Sequence, residues 1–150
     1  MTKYIKTEIT EFEQFDGSDE MMDKYVIEEW PYEMAKPDYS DNYFVIKTPE
    51  GNVFFAVSDW IATGVNGEHW AVKDEIFQKT YKRLPKLTRP VSRYLEYCKE
   101  HWNLNDAFLN AEYLVPDDIS GGEVLDYLIS HPEQFARAWL DGYEVAEVEE

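Results

Sequence analysis

The stretch Ser58–Tyr81, SDWIATGVNGEHWAVKDEIFQKTY, predicts the local structure around which the first half of the chain is arranged. Within it, Asn66-Gly67 lies between two short runs, Trp60–Val65 and Glu68–Val72. Asn-Gly in this setting is a strong signal for a tight β-hairpin, because a type I′ turn needs positive φ at both central residues. We therefore predict two short strands joined by this turn.

A short helix is predicted to follow the hairpin. Asp74 is a residue type that favours the N-cap position, and Glu75 would lie in the first turn. The stretch as a whole is thus predicted as strand, turn, strand and helix. One side of the helix would carry Ile76, Phe77, Thr80 and Tyr81.

Residues upstream predict further strands. Residues 3–15 alternate well enough between apolar and polar side chains to indicate one or two edge strands. Tyr43–Thr48 and Asn52–Val57 flank Pro49-Glu50-Gly51 and are typical of a hairpin. Because these two runs are almost continuously apolar, we expect interior strands that are covered on both faces.

The first helix is predicted to begin after a glycine turn. Ser18 is a favourable N-cap, and Asp19 and Glu20 would lie in the first turn, where the helix dipole favours negative charge. Pro31 would end the helix. The buried side is predicted to consist of Met22, Tyr25, Val26 and Trp30, and Asp19, Glu20 and Asp23 are predicted to face solvent.

The second half of the chain has a helical pattern. Ser92–Trp102 is amphipathic, and Cys98 shares its apolar face with Val91 and Leu95. Cys98 is therefore predicted to be a buried small hydrophobe rather than a reactive thiol. A single cysteine cannot form an internal disulfide, which suits a reducing cytosol.

Three further helices and one strand are predicted after this helix. Asn105 would cap a short helix, Ser120–Glu123 matches a capping box, and Pro132 and Gly142 would begin and end the last helix. Tyr143–Val148 alternates and is predicted to add a final strand. The inward side chains of the last two helices are predicted to be Val124, Leu125, Leu128, Ile129, Phe135, Ala136, Trp139 and Leu140.

Composition divides the chain into three parts. Residues 1–84 are predicted to form a β-rich module, residues 85–91 a basic, proline-containing linker, and residues 92–150 a helical C-terminal region. The predicted fold class is α+β, with a small N-terminal antiparallel sheet and one or two helices followed by a mainly helical part. No apolar run is long enough to span a membrane, and the polar amino terminus predicts no signal peptide.

The chain has an unusually negative net charge. Lys and Arg number 14 and Asp and Glu 31, which gives −17. Residues 1–78 carry 6 basic and 17 acidic side chains (−11), residues 79–100 carry 7 and 2 (+5), and residues 101–150 carry 1 and 12 (−11). Duplex DNA should repel such a protein, so no direct nucleic-acid binding is predicted. The basic segment could contact nucleic acid or a membrane surface, but we favour a role in relieving the repulsion between the two acidic parts.

Ser58–Tyr81 resembles a module found in many small bacteriophage proteins of unknown function. The usual form of that module is G-D-W/Y-I-x-x-G-V-x-G-E-x-Y-P-x-K-P-x-I-F-x-x-T-Y. Ser58 replaces the usual glycine, and Ala71 and Asp74 replace positions where the module tends to carry Pro or Cys and Pro, so the departures concern local turn geometry. The matching residues are Asp59, Trp60, Ile61, Gly64, Val65, Gly67, Glu68, Lys73, Ile76, Phe77, Thr80 and Tyr81.

The carboxyl-terminal stretch FARAWLDGYEVAEVEE, residues 135–150, is similar to the terminal signature of a second uncharacterised phage family, common in phages of streptococci and lactic acid bacteria. Together the two resemblances imply a phage or prophage origin and a location in the cytoplasm of the bacterial host. Neither family has a known catalytic residue, so the resemblance implies no chemistry.

No catalytic or metal-binding motif is recognisable in the sequence. His69, His101 and His131 have spacings that fit no ligand pattern, and no Cys pair accompanies them. The runs 16–20 and 38–42 are rich in aspartate, as calcium loops are, but neither follows the order of an EF-hand. We therefore predict a protein that is not an enzyme and has no cofactor; a hydrolase that uses a carboxylate pair is the enzymatic alternative.

The acidic surface allows two interpretations. It could serve solubility alone, or it could imitate duplex DNA, which presents one negative charge per about 1.7 Å of axis. Carboxylates three or four residues apart on a helix lie about 5–6 Å from each other, so an acidic helix beside acidic loops can approximate a row of phosphates. Nearby Tyr25, Tyr32 and Tyr39 could anchor an interface. The candidate partner-binding acids are Asp19, Glu20, Asp23, Glu28, Glu29, Glu33, Asp38 and Asp41 in the first half, and Asp117, Asp118, Glu123, Asp126, Glu144, Glu147, Glu149 and Glu150 in the second.

The leading hypothesis is a phage-encoded inhibitor of a host defence nuclease. The hosts implied by the carboxyl-terminal signature commonly carry type II CRISPR systems, whose guide-loaded effector holds DNA with arginines and a basic channel. An anti-CRISPR protein that imitates DNA would occupy that channel and block the target. The alternative is a non-enzymatic phage accessory or regulatory module that binds another protein through its aromatic loop, with an acidity that serves solubility only.

Overall fold

The computed structural model describes residues 1–30, 44–113 and 115–147. The chain divides into two compact units between Lys82 and Arg83, and each unit has its own hydrophobic core. The predicted α+β class is confirmed, with antiparallel sheets and short helices first and a mainly helical part after them. No helix within the described ranges is both long and apolar enough to cross a bilayer.

The described residues of unit 1 form two three-stranded antiparallel sheets and two short helices. The elements are β1 (Glu11–Gln14), α1 (Asp19–Tyr25), β2 (Glu28–Glu29), β3 (Phe44–Thr48), β4 (Gly51–Phe55), β5 (Trp60–Thr63), β6 (His69–Val72) and α2 (Asp74–Thr80). The first sheet has the strand order β1-β5-β6 and the second the order β2-β3-β4.

The register of the first sheet sorts its side chains onto two faces, because successive residues of a strand point in opposite directions. Ile61 lies opposite Glu13 on one side and Ala71 on the other. The face that carries Ile61 belongs to the core of unit 1. The buried residues of this core are Phe15, Met21, Tyr25, Ile27, Ile46, Phe55 and Ile61.

Aromatic rings hold α2 against the other face of this sheet. Trp60 and Phe77 stack with their ring centroids 3.9 Å apart, and Phe12 contacts Phe77 at 4.9 Å and Tyr81 at 4.4 Å. No residue of α2 is buried, and Ile76 is exposed. Of the four residues predicted to share one side of this helix, Phe77 and Tyr81 contact the aromatic rings of the sheet, whereas Ile76 and Thr80 are exposed.

The carboxylate of Asp59 caps α2, not that of Asp74. Asp74 is the first helical residue, and its backbone N–H donates to Asp59 Oδ1 at 3.0 Å, while Asp59 Oδ2 accepts from the backbone N–H of Ala56 at 2.9 Å. Asp74 accepts from the indole Nε1 of Trp60 at 2.8 Å, and this bond lowers the pKa of Asp74. Asp59 thereby joins the end of β4, the start of β5 and the start of α2.

Replacing Asp59 by alanine is predicted to lower the free energy of unfolding by about 1–3 kcal/mol, because two partly buried backbone N–H groups lose their acceptor. Urea denaturation measures the change. Asp23→Ala is the matched control, since it removes the same charge from an exposed position and should change the free energy by less than about 0.5 kcal/mol. Equal effects of the two variants would contradict the capping role of Asp59.

The turn between β5 and β6 differs from the predicted two-residue type I′ turn. Gly67 has a φ of 76°, whereas Asn66 is not in the positive-φ region. The N–H of Gly67 donates to the carbonyl of Gly64 at 3.0 Å, and the N–H of Gly64 donates to the carbonyl of Glu68 at 2.9 Å. The loop is therefore longer, and only one of its residues needs the conformation that glycine adopts freely.

Ser58 has a backbone conformation that favours glycine. Its φ is 81°, a region in which the Cβ of an L-residue is crowded. Its N–H donates to the carbonyl of Phe15 at 2.8 Å, and its own carbonyl accepts from the side chain of Gln14 at 3.0 Å. These two bonds to β1 and the residue after it hold Ser58 in the strained conformation.

Ser58→Gly is predicted to raise the free energy of unfolding by about 0.5–1 kcal/mol. Relief of the left-handed strain gains roughly 1–2 kcal/mol, and the greater freedom of glycine in the unfolded chain offsets part of it. Thermal or urea denaturation provides the measurement. Ser58→Ala keeps the Cβ and should give no gain, so stabilisation by alanine equal to that by glycine would refute the explanation.

The first helix is shorter than predicted. α1 ends at Tyr25, and Val26 follows in the left-handed conformation with 74% of its surface exposed. Met21 and Tyr25 form the buried side, and the chain then continues through buried Ile27 into β2. The predicted buried side was wrong for Val26, because a left-handed residue reverses the chain direction at that point. Pro31, which was predicted to end the helix, lies outside the described residues.

The remaining strands lie where they were predicted, but only one of the two strands predicted to be interior is central in its sheet. Residues 3–15 contribute one edge strand, β1, in the described part of the chain. β3 and β4 form the predicted hairpin, with Phe44 opposite Phe55. β3 is the central strand of its described sheet, whereas β4 lies at the edge and begins with exposed Gly51 and Asn52.

In the described part of unit 2, four helices and a two-stranded parallel sheet pack around its own core. Its fully buried members include Leu87, Tyr94, Leu95, Val124 and Phe135. The elements are β7 (Lys86–Leu87), α3 (Arg89–His101), α4 (Leu104–Leu109), α5 (Gly121–Ser130), α6 (Pro132–Asp141) and β8 (Glu144–Val145).

Residues 85–91, predicted as a linker, form ordered elements of unit 2. Leu87 is fully buried in β7, which pairs with β8, and the N–H of Glu144 donates to the carbonyl of Pro85 at 2.9 Å. Pro90 lies in the first turn of α3, where a missing N–H costs nothing. Both prolines occupy positions that tolerate them, which is why a proline-rich composition gave a misleading signal.

Among the other local predictions in unit 2, the burial of Cys98 is confirmed, and the predictions for Asn105, Ile129 and Leu140 are wrong. Cys98 is buried, as predicted, and burial raises the pKa of its thiol to about 11. Asn103, not Asn105, caps α4, because its side chain accepts from the N–H of Asp106 at 2.9 Å. Ile129 and Leu140 are exposed rather than inward.

Candidate acidic partner-binding surface

The structure sorts the predicted partner-binding acids into three groups. Glu33, Asp38, Asp41, Glu149 and Glu150 lie outside the described residues. Three acids form ion pairs with a basic side chain: Glu28, Asp118 and Glu144. The others are exposed and form no ion pair in the described part of the chain: Asp19, Glu20, Asp23, Glu29, Asp117, Glu123, Asp126 and Glu147.

The ion-paired acids are partly neutralised by the protein itself. Glu28 on β2 contacts Lys47 on β3 at 3.0 Å, and Glu144 on β8 contacts Arg83 at 3.0 Å. Asp118 pairs with Arg93 on α3. These pairs leave less free charge for a partner at the three positions, and they bring part of the basic segment to acids within unit 2.

The densest set of unpaired carboxylates lies on and just before α1. We call Asp16, Asp19, Glu20 and Asp23 the α1 acidic face. Ser18 begins the helix as predicted, since its Oγ accepts from the N–H of Met21 at 3.3 Å. Asp19, Glu20 and Asp23 face solvent because Met21 and Tyr25 are buried on the opposite side of the helix, and Asp16 is exposed just before the helix begins.

A local hydrogen bond favours the ionised form of Asp16. The N–H of Ser18 donates to Asp16 Oδ1 at 2.8 Å, and hydrogen bonding from Ser18 lowers the pKa of Asp16. Asp19 and Glu20 lie in the first turn of α1, where the helix dipole stabilises negative charge. The arrangement therefore keeps negative charge at the amino-terminal end of the helix.

Lys24 would neutralise the α1 acidic face if it followed the usual helix rule, because Glu20 lies four residues before it. Instead its Nζ contacts Glu13 Oε2 on β1 at 2.5 Å, and the hydroxyl of Tyr25 donates to the same oxygen at 2.5 Å. The Lys24 contact, followed by that of Tyr25, lowers the pKa of Glu13. The positive charge is thus drawn to the sheet and away from the acids of the helix.

The spacing of the α1 carboxylates is close to that of phosphates on one DNA strand. At 1.5 Å per residue, Asp19, Glu20 and Asp23 lie at axial intervals of about 1.5 and 4.5 Å, an average of one charge per roughly 3 Å of axis. A single strand of B-DNA carries one charge per about 3.4 Å. Over this short length α1 can present the charge of about three phosphates.

Unit 2 carries a second, smaller set of unpaired acids. Glu123 and Asp126 lie one turn apart on α5 and are exposed. Asp117 is exposed in the segment before this helix. These acids lie within a different unit from α1 and form a separate set.

The predicted aromatic anchors do not accompany the acids in the described structure. Tyr25 is only 7% exposed, and burial raises the pKa of its hydroxyl, which is bonded to Glu13. Tyr32 and Tyr39 lie outside the described residues.

Asp16 belongs to the α1 acidic face but is absent from the acids predicted from the sequence. An Asp two residues before a Ser N-cap is a local signal that could have identified it.

The three histidines each have a local hydrogen-bonding partner. His69 Nδ1 lies 3.0 Å from Thr63 Oγ1, His101 Nδ1 2.8 Å from the carbonyl of Tyr97, and His131 Nδ1 2.8 Å from Ser130 Oγ. Across residues 1–30, 44–113 and 115–147, no group of three or more His, Cys, Asp or Glu side chains is placed to hold a metal ion.

The ion pair of Glu13 predicts a pH dependence of stability. The pKa of Glu13 is lowered from its ordinary value of 4.5, so its contribution is present above that value and is lost as the pH falls through the lower, folded-state pKa. Glu13→Gln should therefore lose less free energy of unfolding than the wild type as the pH is lowered from about 6 to about 3. Urea denaturation across that range is the measurement, and an identical loss in both proteins would contradict the ion pair.

Comparison of the chain with models of protein families, with curated protein sequences and with solved structures gives no match. The resemblance to phage modules therefore stays a prediction.

Proposed function

We propose that this chain is an acidic inhibitor that occupies the DNA-binding surface of a basic partner protein. The observation that carries the proposal is the α1 acidic face, four exposed carboxylates from which the neighbouring Lys24 is withdrawn by Glu13. A coherent negative field of this kind attracts the Lys and Arg side chains that hold phosphates. The hypothesis is narrower than the one drawn from the sequence, because it rests on α1 rather than on every acid.

A protein partner fits the charge better than a nucleic acid does. With a net charge of −17 the chain would be repelled by phosphates, whereas a cationic channel would accelerate its association. Binding should be fast and should weaken as salt is added, since the attraction acts between exposed charges. These are the properties expected of a competitor of DNA.

The proposed target is a type II RNA-guided nuclease of the bacterial host. The phage-like segments at residues 58–81 and 135–150 support this choice, since a phage gains from blocking a host defence nuclease. Such an effector reads its short DNA motif with arginines and lines its channel with basic groups. A DNA-like helix would therefore find complementary charge in the empty channel.

A phage accessory or regulatory module is the second candidate function. The ion pairs of Glu28, Asp118 and Glu144 favour it, because they show the protein balancing part of its charge internally. In that case the remaining acids serve solubility, and the partner binds elsewhere. The two candidates differ in what removal of the α1 charges should do.

Asp19→Asn, Glu20→Gln and Asp23→Asn combined are predicted to weaken inhibition of target cleavage by a guide-loaded type II effector roughly tenfold or more. Three charge contacts are lost, each contributing about 0.5–1 kcal/mol at an exposed interface. The measurement is the inhibitor concentration that halves cleavage at low salt, repeated as salt is raised. Wild-type protein that leaves cleavage unchanged at large molar excess would refute the proposed target.

The matched control for this experiment is the triple variant Glu123→Gln, Asp126→Asn and Glu147→Gln. It changes the net charge by the same amount through exposed acids of unit 2 that form no ion pair in the described structure. DNA mimicry by α1 predicts a much smaller loss for this control. Equal losses would indicate a general charge effect, and no loss in either variant would favour the accessory module.

A further inference from the structure

A surface groove in unit 2 lies between the end of α4 and the start of α5. It has a volume of about 400 Å³, within the range of pockets that receive small ligands or side chains. Its floor is formed by Val115, Ile119 and Leu125, which also pack against the buried core of unit 2. The floor is therefore apolar and held in place by the core.

Two carboxylates lie among the residues that line this groove. Glu112 and Asp117 are exposed, and neither forms an ion pair in the described part of the chain. Arg93 approaches the adjacent loop, but it is engaged by Asp118. The groove thus combines an apolar floor with uncompensated negative charge, and its complement is a long apolar stem that ends in a cation.

Tyr113 narrows the choice of cation. It lines the groove with 76% of its surface exposed, and its ring has no aromatic partner in the part of the chain that the structure describes. A guanidinium group stacks on such a ring, is more weakly hydrated than an ammonium group, and can bond a carboxylate through two N–H groups. Arginine therefore fits the groove better than lysine.

The start of α5 could attract a different kind of ligand, an anion. Its N-cap Ser120 makes no side-chain capping bond, and free N–H groups at a helix start attract anions. Glu112, Asp117 and Glu123 would repel an anion at that point. The charge of the groove therefore favours a cation, and a phosphate ion is the alternative to be tested.

We propose that this groove binds an arginine side chain of a basic partner protein, with the alkyl stem on the apolar floor and the guanidinium between Glu112, Asp117 and the ring of Tyr113. The proposal rests on the proposed function only in taking the partner to be basic. It needs neither α1 nor DNA mimicry, because the groove belongs wholly to unit 2.

The test is an NMR titration of the ¹⁵N-labelled full chain with N-acetyl-arginine amide. We expect saturable shifts of the Gly121 and Gly122 amides, which line the groove. N-acetyl-citrulline amide has the same shape without the charge and should bind roughly fivefold or more weakly, since two exposed charge contacts are lost. Equal binding of citrulline, absence of saturable shifts at these glycines, or stronger shifts with inorganic phosphate would each overturn the proposal.

Gly121→Leu provides a blocking variant that should still fold. A Cβ at this first residue of α5 would lie 3.6 Å from the Cβ of Val115, an ordinary contact, and leucine is a better helix former than glycine. Its side chain starts against the Val115 wall of the groove and should abolish the arginine shifts at Gly122, whereas Gly122→Ala, whose Cβ meets no atom within 4 Å, should retain the shifts at Gly121. Unchanged binding in Gly121→Leu would overturn the assignment.

Removal of the two carboxylates tests the charged half of the site. Glu112→Gln with Asp117→Asn should weaken arginine binding roughly fivefold or more and leave citrulline binding unchanged. An unchanged arginine affinity would overturn the assigned roles of Glu112 and Asp117. Failure of the titration would leave the nuclease assay with the α1 variants unaffected, so the two proposals fail separately.

Discussion

Burial of Met21 and Tyr25 in the core of unit 1 decides which side of α1 faces water. A helix of seven residues is too short to be stable in isolation, so this packing holds it in place. With these two side chains inward, Asp19, Glu20 and Asp23 must point outward. The charge pattern on which the proposed function rests therefore follows from apolar contacts beneath it.

The same packing places Lys24 beside β1 rather than over the acids of its own helix. The ammonium group of Lys24 and the hydroxyl of Tyr25 then both donate to one carboxylate oxygen of Glu13. Exposed ion pairs contribute little to stability, so the main effect of this one is on the field around α1. The distribution of the few cations, more than the number of acids, determines where the surface stays negative.

Much of the fold could be predicted because the relevant signals are local. The cap at Ser18, the start of a helix at Pro132 and the β3–β4 hairpin each depend on residues close in sequence. The capping of α2 by Asp59 acts across 15 residues, and the pairing of β7 with β8 joins the two ends of unit 2. Such long-range contacts leave no mark in local composition, which is why the composition of residues 85–91 predicts a linker.

The candidate site was predictable to a similar degree. Asp19, Glu20 and Asp23 were expected to face solvent on periodicity alone, and they do. Which acids are neutralised could not be predicted, because the partners of Glu28, Asp118 and Glu144 lie 19, 25 and 61 residues away. The early end of α1 at Val26 was also unpredictable, since a β-branched residue rarely adopts the left-handed conformation that stops this helix.

A competition experiment tests the central claim most directly. Fluorescently labelled chain is bound to the guide-loaded effector, and a duplex that carries the effector's short recognition motif is added while the anisotropy of the label is followed. If α1 occupies the DNA channel, the duplex and the protein exclude each other, and the effector-bound fraction of the label falls to zero as DNA is added. A stable ternary complex of effector, DNA and protein would contradict the account.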